Sequence, residues 1–235
     1  MKMKLQTVTL GCSKNKVDTE HILSHVEDLY EIVPEGEDIP VDVILLNTCG
    51  FIGDAKEESV QAVLEAVEKK KRGEADKVIV FGCLSQRYAD ELPELIPEVD
   101  GWFGARDFDP VIRALGAEPD PEKRNHRYLT TPSHYAYLKI SEGCDRRCSY
   151  CAIPFIRGAH KSVPMEDLVA EASRLADNGV KELIIIAQDT TFYGLDLYRR
   201  RALAELLQKL SEVDGIEWIR IHYSYPASFP EDVLD

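Results

Sequence analysis

The sequence predicts an α/β protein, because short apolar segments alternate with segments of helical periodicity along most of its 235 residues. Three strand-loop-helix units occupy about the first hundred residues, and a βαβαβ pattern follows after residue 134. Cysteines stand directly after the strands of the first region and directly after the first strand of the second. Parallel α/β folds place their functional sites at such strand ends.

The first region contains three predicted strands, at residues 5–10, 43–46 and 77–81. The middle one is an unbroken apolar run, which is typical of a strand buried on both faces. A helical pattern follows each strand, and the third helix is expected to begin near Gln86.

Each of these strands leads to one cysteine that has a glycine beside it, namely Cys12, Cys49 and Cys83. Because parallel strands end at one edge of a sheet, we expect these thiols to converge despite separations of 37 and 34 residues. The alternative is three independent buried cysteines, since free cysteine often serves as a small core residue.

Domain boundaries are predicted from composition. Residues 1–116 form the first domain, and residues 117–133 form a linker that holds three prolines among charged residues. Residues 134–235 form the second domain, with strands expected near residues 135–140, 183–187 and 218–223. Alternation of these strands with helical patterns predicts right-handed parallel connections.

The second domain opens with a C-x3-C-x2-C motif formed by Cys144, Cys148 and Cys151. Structural zinc sites are closed by four protein ligands, whereas iron–sulfur clusters are held by cysteines at short spacings. Three thiolates on a four-iron cluster leave one iron open to a substrate or cofactor. A zinc site with His134 or His160 as fourth ligand is the alternative.

The charge and hydropathy of the chain indicate which kinds of partner it can bind. The chain has 42 acidic and 28 basic residues, a net charge of −14, and no apolar run long enough to span a bilayer. We therefore expect a cytoplasmic protein without membrane contact. Its acidic surface repels phosphate backbones and favours a basic protein partner over nucleic acid.

The cysteine loop resembles that of the radical S-adenosylmethionine enzymes. This resemblance implies that the open iron binds the amino and carboxylate groups of the cofactor's methionine part, and that Tyr150 lies near the adenine. It also implies a partial (β/α) barrel of six strands. Only three strands are predicted here, so we expect the chain to be an amino-terminal fragment of a longer enzyme.

The whole chain resembles the methylthiotransferases, which insert sulfur and a methyl group at unactivated carbon. One branch modifies an adenosine of transfer RNA, and the other modifies the β-carbon of an aspartate in ribosomal protein S12. The segments at residues 10–18, 188–194 and 221–226 are similar to the second branch. The family's carboxy-terminal TRAM domain is not found in this sequence.

The resemblance implies two 4Fe-4S clusters, one on Cys144, Cys148 and Cys151 and the other on Cys12, Cys49 and Cys83. It implies that the former cleaves S-adenosylmethionine to a radical, that the latter holds the transferred sulfur, and that an external donor supplies electrons.

Four further residues are candidates for cofactor binding. Tyr150 follows from the resemblance, and Gln188 and Asp189 stand at a strand end, with loop capping as their alternative role. Arg157 could reach the cofactor's carboxylate or could neutralise an acidic surface. By contrast, Arg146 and Arg147 are interpreted as exposed loop residues, and His222 as a structural histidine.

Three other functions compete with this interpretation. The chain could belong to a transfer-RNA methylthiotransferase, act as an iron–sulfur electron carrier, or form a zinc-binding interaction module. A response of the cluster spectrum to S-adenosylmethionine distinguishes the enzymes from a carrier, and metal analysis distinguishes the zinc module.

Overall fold

The computed structural model describes residues 2–226 and 229–234 and divides the chain into two compact units. The first unit is Met1–Arg124 and the second is Asn125–Asp235. Part of the predicted linker packs within the first unit, where Lys123 Nζ donates to the carbonyl oxygen of Ser24 at 3.0 Å. The domain limits given from sequence stay a prediction.

Among the described residues of the first unit, five strands form one parallel sheet in the order β2-β1-β3-β4-β5. The strands are β1 (Met3–Thr9), β2 (Tyr30–Val33), β3 (Val41–Thr48), β4 (Ala75–Gly82) and β5 (Gly101–Trp102). The register aligns Val8 of β1 with Leu46 of β3, and Leu46 with Val80 of β4. The three strands that precede cysteines are therefore neighbours.

The helices of this unit are α1 (Ser13–Val26), α2 (Gly53–Lys71), α3 (Cys83–Arg87), α4 (Leu92–Leu95) and α5 (Asp109–Ala114), followed by a 3-10 helix at Pro121–Lys123. The third helix begins at Cys83 itself, so its predicted start near Gln86 was wrong by three residues. The short strand β2 was not predicted.

Burial explains why the central strand is an unbroken apolar run. Leu45 and Leu46 of β3 point to opposite faces of the sheet, and both are fully buried. One face packs on α2 through Val63 and Val67. A strand covered on both sides has no exposed face for polar side chains, which confirms the prediction for residues 43–46.

The second unit contains a parallel sheet in the order β10-β9-β6, built from β6 (Tyr135–Lys139), β9 (Glu182–Ile186) and β10 (Trp218–Ile221). A small antiparallel pair, β7 (Ser141–Glu142) and β8 (Lys161–Ser162), flanks the cysteine loop. The predicted α/β class is confirmed in both units.

The helices of the second unit are α6 (Ile153–Arg157), α7 (Met165–Asp177) and α8 (Leu203–Ser211), with 3-10 turns at Thr190–Phe192 and Glu231–Val233. The apolar stripes of α7 and α8, represented by Leu168 and Leu206, are fully buried in one core with β6 and β9. Within the described residues, no helix combines the length and apolar character that crossing a membrane requires.

Candidate metal and cofactor sites

Three cysteines of the first unit, Cys12, Cys49 and Cys83, are called here the first cysteine group. Cys12 precedes α1, Cys49 follows β3, and Cys83 opens α3 directly after β4. Cys49 and Cys83 are buried and Cys12 is half-buried. All three follow the carboxyl ends of neighbouring parallel strands, where α/β sheets form their binding sites.

Contacts with two other residues show that this group comes together. The thiols of Cys12 and Cys83 both face the side-chain oxygen of Asn15, with sulfur-to-oxygen distances of 3.9 and 3.8 Å. Cys49 lies against Gly11, because a Cβ atom placed on Gly11 would be 2.9 Å from Cys49 Sγ. Sequence reasoning did not identify Asn15, although its position in the first turn after Cys12 was visible.

The glycines beside these cysteines allow the chain segments to approach one another. Gly11 has φ +88°, and a Cβ atom there would lie only 2.7 Å from Cys49 Cβ. A Cβ atom on Gly50 would lie 2.7 Å from the carbonyl oxygen of Cys83. Separations of this size are too short for non-bonded carbon and oxygen atoms, so a side chain at either position would push the segments apart.

Cys144, Cys148 and Cys151, called here the second cysteine group, lie in the loop between β7 and α6. Cys144 is buried, and its sulfur accepts a hydrogen bond from the backbone N–H of Arg146 at 3.4 Å. Burial raises the pKa of the Cys144 thiol, and negative charge on Asp189 and Cys151 raises it further. Cys148 and Cys151 are half-buried.

Glu142, directly before this loop, joins two of the predicted cofactor residues. Its carboxylate accepts hydrogen bonds from Arg157 at 3.1 Å, from Lys139 at 2.8 Å and from the side-chain amide of Gln188. Burial opposes ionisation of Glu142, but the charges of Lys139 and Arg157 outweigh it and lower its pKa to about 2. The group is therefore ionised at neutral pH.

Glu142 and Lys139 were missed by sequence reasoning. The available signal was their position at the end of the strand that leads into the cysteine loop. The other partners of Glu142, Arg157 and Gln188, lie 15 and 46 residues away in sequence, so these contacts could not be read from local pattern.

Asp189 performs two structural tasks in the described structure. One carboxylate oxygen accepts hydrogen bonds from the backbone N–H and hydroxyl of Thr191, at 3.0 and 2.6 Å, and so caps the 3-10 turn. The other oxygen pairs with Arg146 Nε at 2.5 Å. Loop capping, the alternative considered for Asp189, is therefore present.

The expectation that Arg146 is an exposed loop residue was wrong, because its side chain is half-buried and makes several contacts. Besides its pair with Asp189, its guanidinium lies 3.7 Å from the ring centre of Tyr225 and 4.4 Å from that of Phe192. Cation–π contacts and an ion pair thus hold it between loops that follow β9 and β10. Arg147, by contrast, is exposed, as expected.

Tyr150 and His222 were also considered from the sequence. Tyr150 is 87% exposed. The backbone N–H of His222 donates to Ile185, and its ring contacts Tyr223, which agrees with a structural role.

The two histidines of the zinc alternative have other surroundings. His160 is buried, with Nε2 3.0 Å from the hydroxyl of Ser162, whereas His134 is exposed and its ring packs on Tyr135. In residues 2–226 and 229–234, no three His, Cys, Asp or Glu side chains are grouped so that they could hold a single metal ion.

Both cysteine groups suit iron–sulfur ligation by their donor chemistry, since thiolates are the usual cluster ligands and each binds a different iron. Two buried polar atoms near the second group, Gln188 Oε1 and Arg146 Nη2, have no hydrogen-bond partner among the described residues. An unpaired acceptor and an unpaired donor fit a polar ligand at this place.

Gly11→Ala tests the close approach in the first group. The variant is expected to lower the free energy of unfolding by about 3 kcal/mol, because left-handed backbone strain adds to overpacking against Cys49. Gly36→Ala is the matched control, since Gly36 has φ +89° and no described atom lies within 4 Å of the position that a Cβ atom would take there. In urea denaturation, Gly36→Ala should lower the free energy of unfolding by only about 1 kcal/mol. Equal losses would contradict a tight contact at Gly11.

Arg146→Ala and Arg147→Ala form a second matched pair. Removing Arg146 leaves the buried Asp189 without its cation, so we expect a loss of about 2 kcal/mol in unfolding free energy. Arg147→Ala should change it by less than about 0.5 kcal/mol. Thermal and urea unfolding measure both, and similar effects for the two arginines would contradict the contacts described for Arg146.

Two family models match the chain, and each covers one of the two cysteine groups. Residues 4–104 match the model described as uncharacterized protein family UPF0004, and residues 138–235 match the radical SAM superfamily.

Curated relatives cover the chain almost completely. A protein of Christiangramia forsetii is 54% identical over 100% of this chain and 52% of its own length. Proteins of Flavobacterium johnsoniae and Porphyromonas gingivalis are 53% and 52% identical, over 100% and 98% of this chain and 54% of their own lengths. All three are named ribosomal protein uS12 methylthiotransferase RimO. The chain spans about half the length of these relatives.

Solved structures share the fold at low sequence identity. The radical S-adenosylmethionine methyltransferase TsrM from Kitasatospora setae, described with cobalamin and a [4Fe-4S] cluster bound, aligns with a TM-score of 0.64 and 13% identity. The match covers 99% of this chain and 58% of TsrM. The cobalamin-dependent radical enzyme OxsB aligns with a TM-score of 0.58 and 14% identity, over 99% of this chain and 41% of its own.

Full coverage of the chain by relatives about half identical to it, together with the two matched family models, is decisive. The chain belongs to the radical S-adenosylmethionine methylthiotransferase family.

Proposed function

We propose that this chain carries the two iron–sulfur sites of an enzyme that inserts a methylthio group at the β-carbon of an aspartate in ribosomal protein uS12. The names of the relatives support this substrate. The net charge of −14 also suits a basic ribosomal protein better than a transfer RNA.

The observation that carries the proposal is the meeting of three cysteines from distant parts of the chain. Cys12 and Cys83 share Asn15, and Cys49 touches Gly11. A radical S-adenosylmethionine enzyme needs one cysteine trio for its cofactor. A second trio at the edge of a separate sheet supports a second four-iron cluster, which a sulfur-inserting enzyme would use.

The second cysteine group and its neighbours are proposed to bind S-adenosylmethionine on a cluster held by Cys144, Cys148 and Cys151. When bound there, the cluster and cofactor would supply the radical chemistry needed to break a C–H bond that acid–base side chains cannot break. Arg157 and Gln188, held in place by Glu142, would orient the polar part of the cofactor. Tyr150 is proposed to contact the adenine, and Asp189 acts indirectly through Arg146.

Two partners complete the proposal. The protein substrate is uS12, and an external donor provides electrons to the clusters. We place the reaction in the cytoplasm, where ribosomal proteins are available, without contact with a membrane or nucleic acid by this part of the enzyme.

Iron and acid-labile sulfide content after anaerobic reconstitution tests the two sites. The chain should bind about eight irons, as expected for two four-iron clusters. A Cys12→Ala/Cys49→Ala/Cys83→Ala variant and a Cys144→Ala/Cys148→Ala/Cys151→Ala variant should each retain about four. If the first variant binds as much iron as the parent, the early cysteines are not ligands and the proposal fails.

Mass spectrometry tests the substrate. A full-length enzyme that contains this chain, reconstituted with iron and sulfide and incubated with sulfide as sulfur source, S-adenosylmethionine, a reductant and either uS12 or transfer RNA, should add one methylthio group to an aspartate of uS12. The Cys12→Ala/Cys49→Ala/Cys83→Ala variant serves as the control and should form no such product. Methylthioadenosine in the transfer RNA, with uS12 unchanged, would assign the chain to the other branch.

A further inference from the structure

The side chain of Asn15 touches all three segments that bear the first cysteine group. Its oxygen faces the sulfurs of Cys12 and Cys83 at 3.9 and 3.8 Å. Its amide nitrogen donates to the carbonyl oxygen of Leu10 at 2.9 Å and to that of Thr48, the residue before Cys49, at 3.3 Å. The side-chain amide of Asn15 thus makes four contacts.

The orientation of this amide follows from its partners. Carbonyl oxygens only accept hydrogen bonds, so the NH₂ group must face Leu10 and Thr48 and the oxygen must face the thiols. The two carbonyls lie at the ends of adjacent strands, β1 and β3. The amide therefore bridges the sheet edge from which Cys12 and Cys49 project.

Asn15 is itself held rigidly. It is fully buried in the first turn of α1, and its backbone carbonyl accepts a 2.8 Å hydrogen bond from the side-chain amide of Asn47. Asn47 also donates to the hydroxyl of Thr19 at 3.1 Å. A buried side chain with these contacts has little freedom to shift, so distances measured from it are fixed.

We propose that Asn15 is a positioning residue that sets the spacing of Cys12, Cys49 and Cys83 for cluster binding. This inference rests on the proposed function, because it takes these cysteines as iron ligands. The anchoring bonds to Leu10 and Thr48 do not involve sulfur, so they persist when the thiols lose their protons to bind iron. Residues that orient metal ligands in this way commonly control how tightly the metal is held.

The test uses the full chain with Cys144→Ala/Cys148→Ala/Cys151→Ala, so that all bound iron reports on the first group. Into this parent are introduced Asn15→Ala, which removes the amide, and Asn15→Asp, which keeps its shape but places a carboxylate against two carbonyls. Gln61→Ala is the control, because it removes an amide from the exposed face of α2. Iron content, the rate of iron loss to a chelator, and the circular dichroism of the iron-free chain are measured.

The parent and the Gln61→Ala variant should bind about four irons and release them at the same rate. Both Asn15 variants should stay folded without iron and should release iron roughly ten- to a hundredfold faster, with Asn15→Asp the more severe. Iron content and release equal to the parent's would overturn the inference. Loss of the folded state in both variants would also overturn the inference, because Asn15 would then be required for folding and not for positioning the cysteines. A parent without iron would instead refute the proposed function.

Discussion

Hydrogen bonding between the neighbouring strands β1, β3 and β4 is the constraint on which the first site depends. The parallel register ends the three strands at one edge, and a cysteine follows each end. Close packing then brings the cysteine-bearing segments together, because the glycines allow separations that are too short for a side chain. Sheet geometry therefore brings together three residues that are far apart in sequence.

The second unit positions its candidate residues by charge. Glu142 is ionised in a partly buried place because Lys139 and Arg157 neutralise it, and it also holds Gln188. Arg146 and Asp189 form a second pair, which ties the cysteine loop to the turn after β9. Paired charges of this kind are costly to break and so fix the direction of the side chains. The cysteine loop is thus supported from two sides.

Local pattern was enough to predict much of this architecture. The apolar run at residues 43–46 and the repeated strand-loop-helix order predicted the sheets. The position of the cysteines after strand ends predicted that they lie at one edge. The contacts of Asn15, the network around Glu142 and the ring and ion-pair contacts of Arg146 could not be predicted, because each depends on residues distant in sequence. The four-residue strand β2 was missed because so short a segment shows little periodicity.

The burial of β3 on both faces has a consequence for oxidative damage. Hydrogen bonds in central strands open only in large-scale unfolding, whereas partly exposed loops open in local fluctuations. Cys49 is attached to β3, while Cys148 and Cys151 lie half-buried in a loop. In a metal-free chain, an oxidant would thus reach the half-buried thiols of Cys148 and Cys151 more readily than the buried thiol of Cys49.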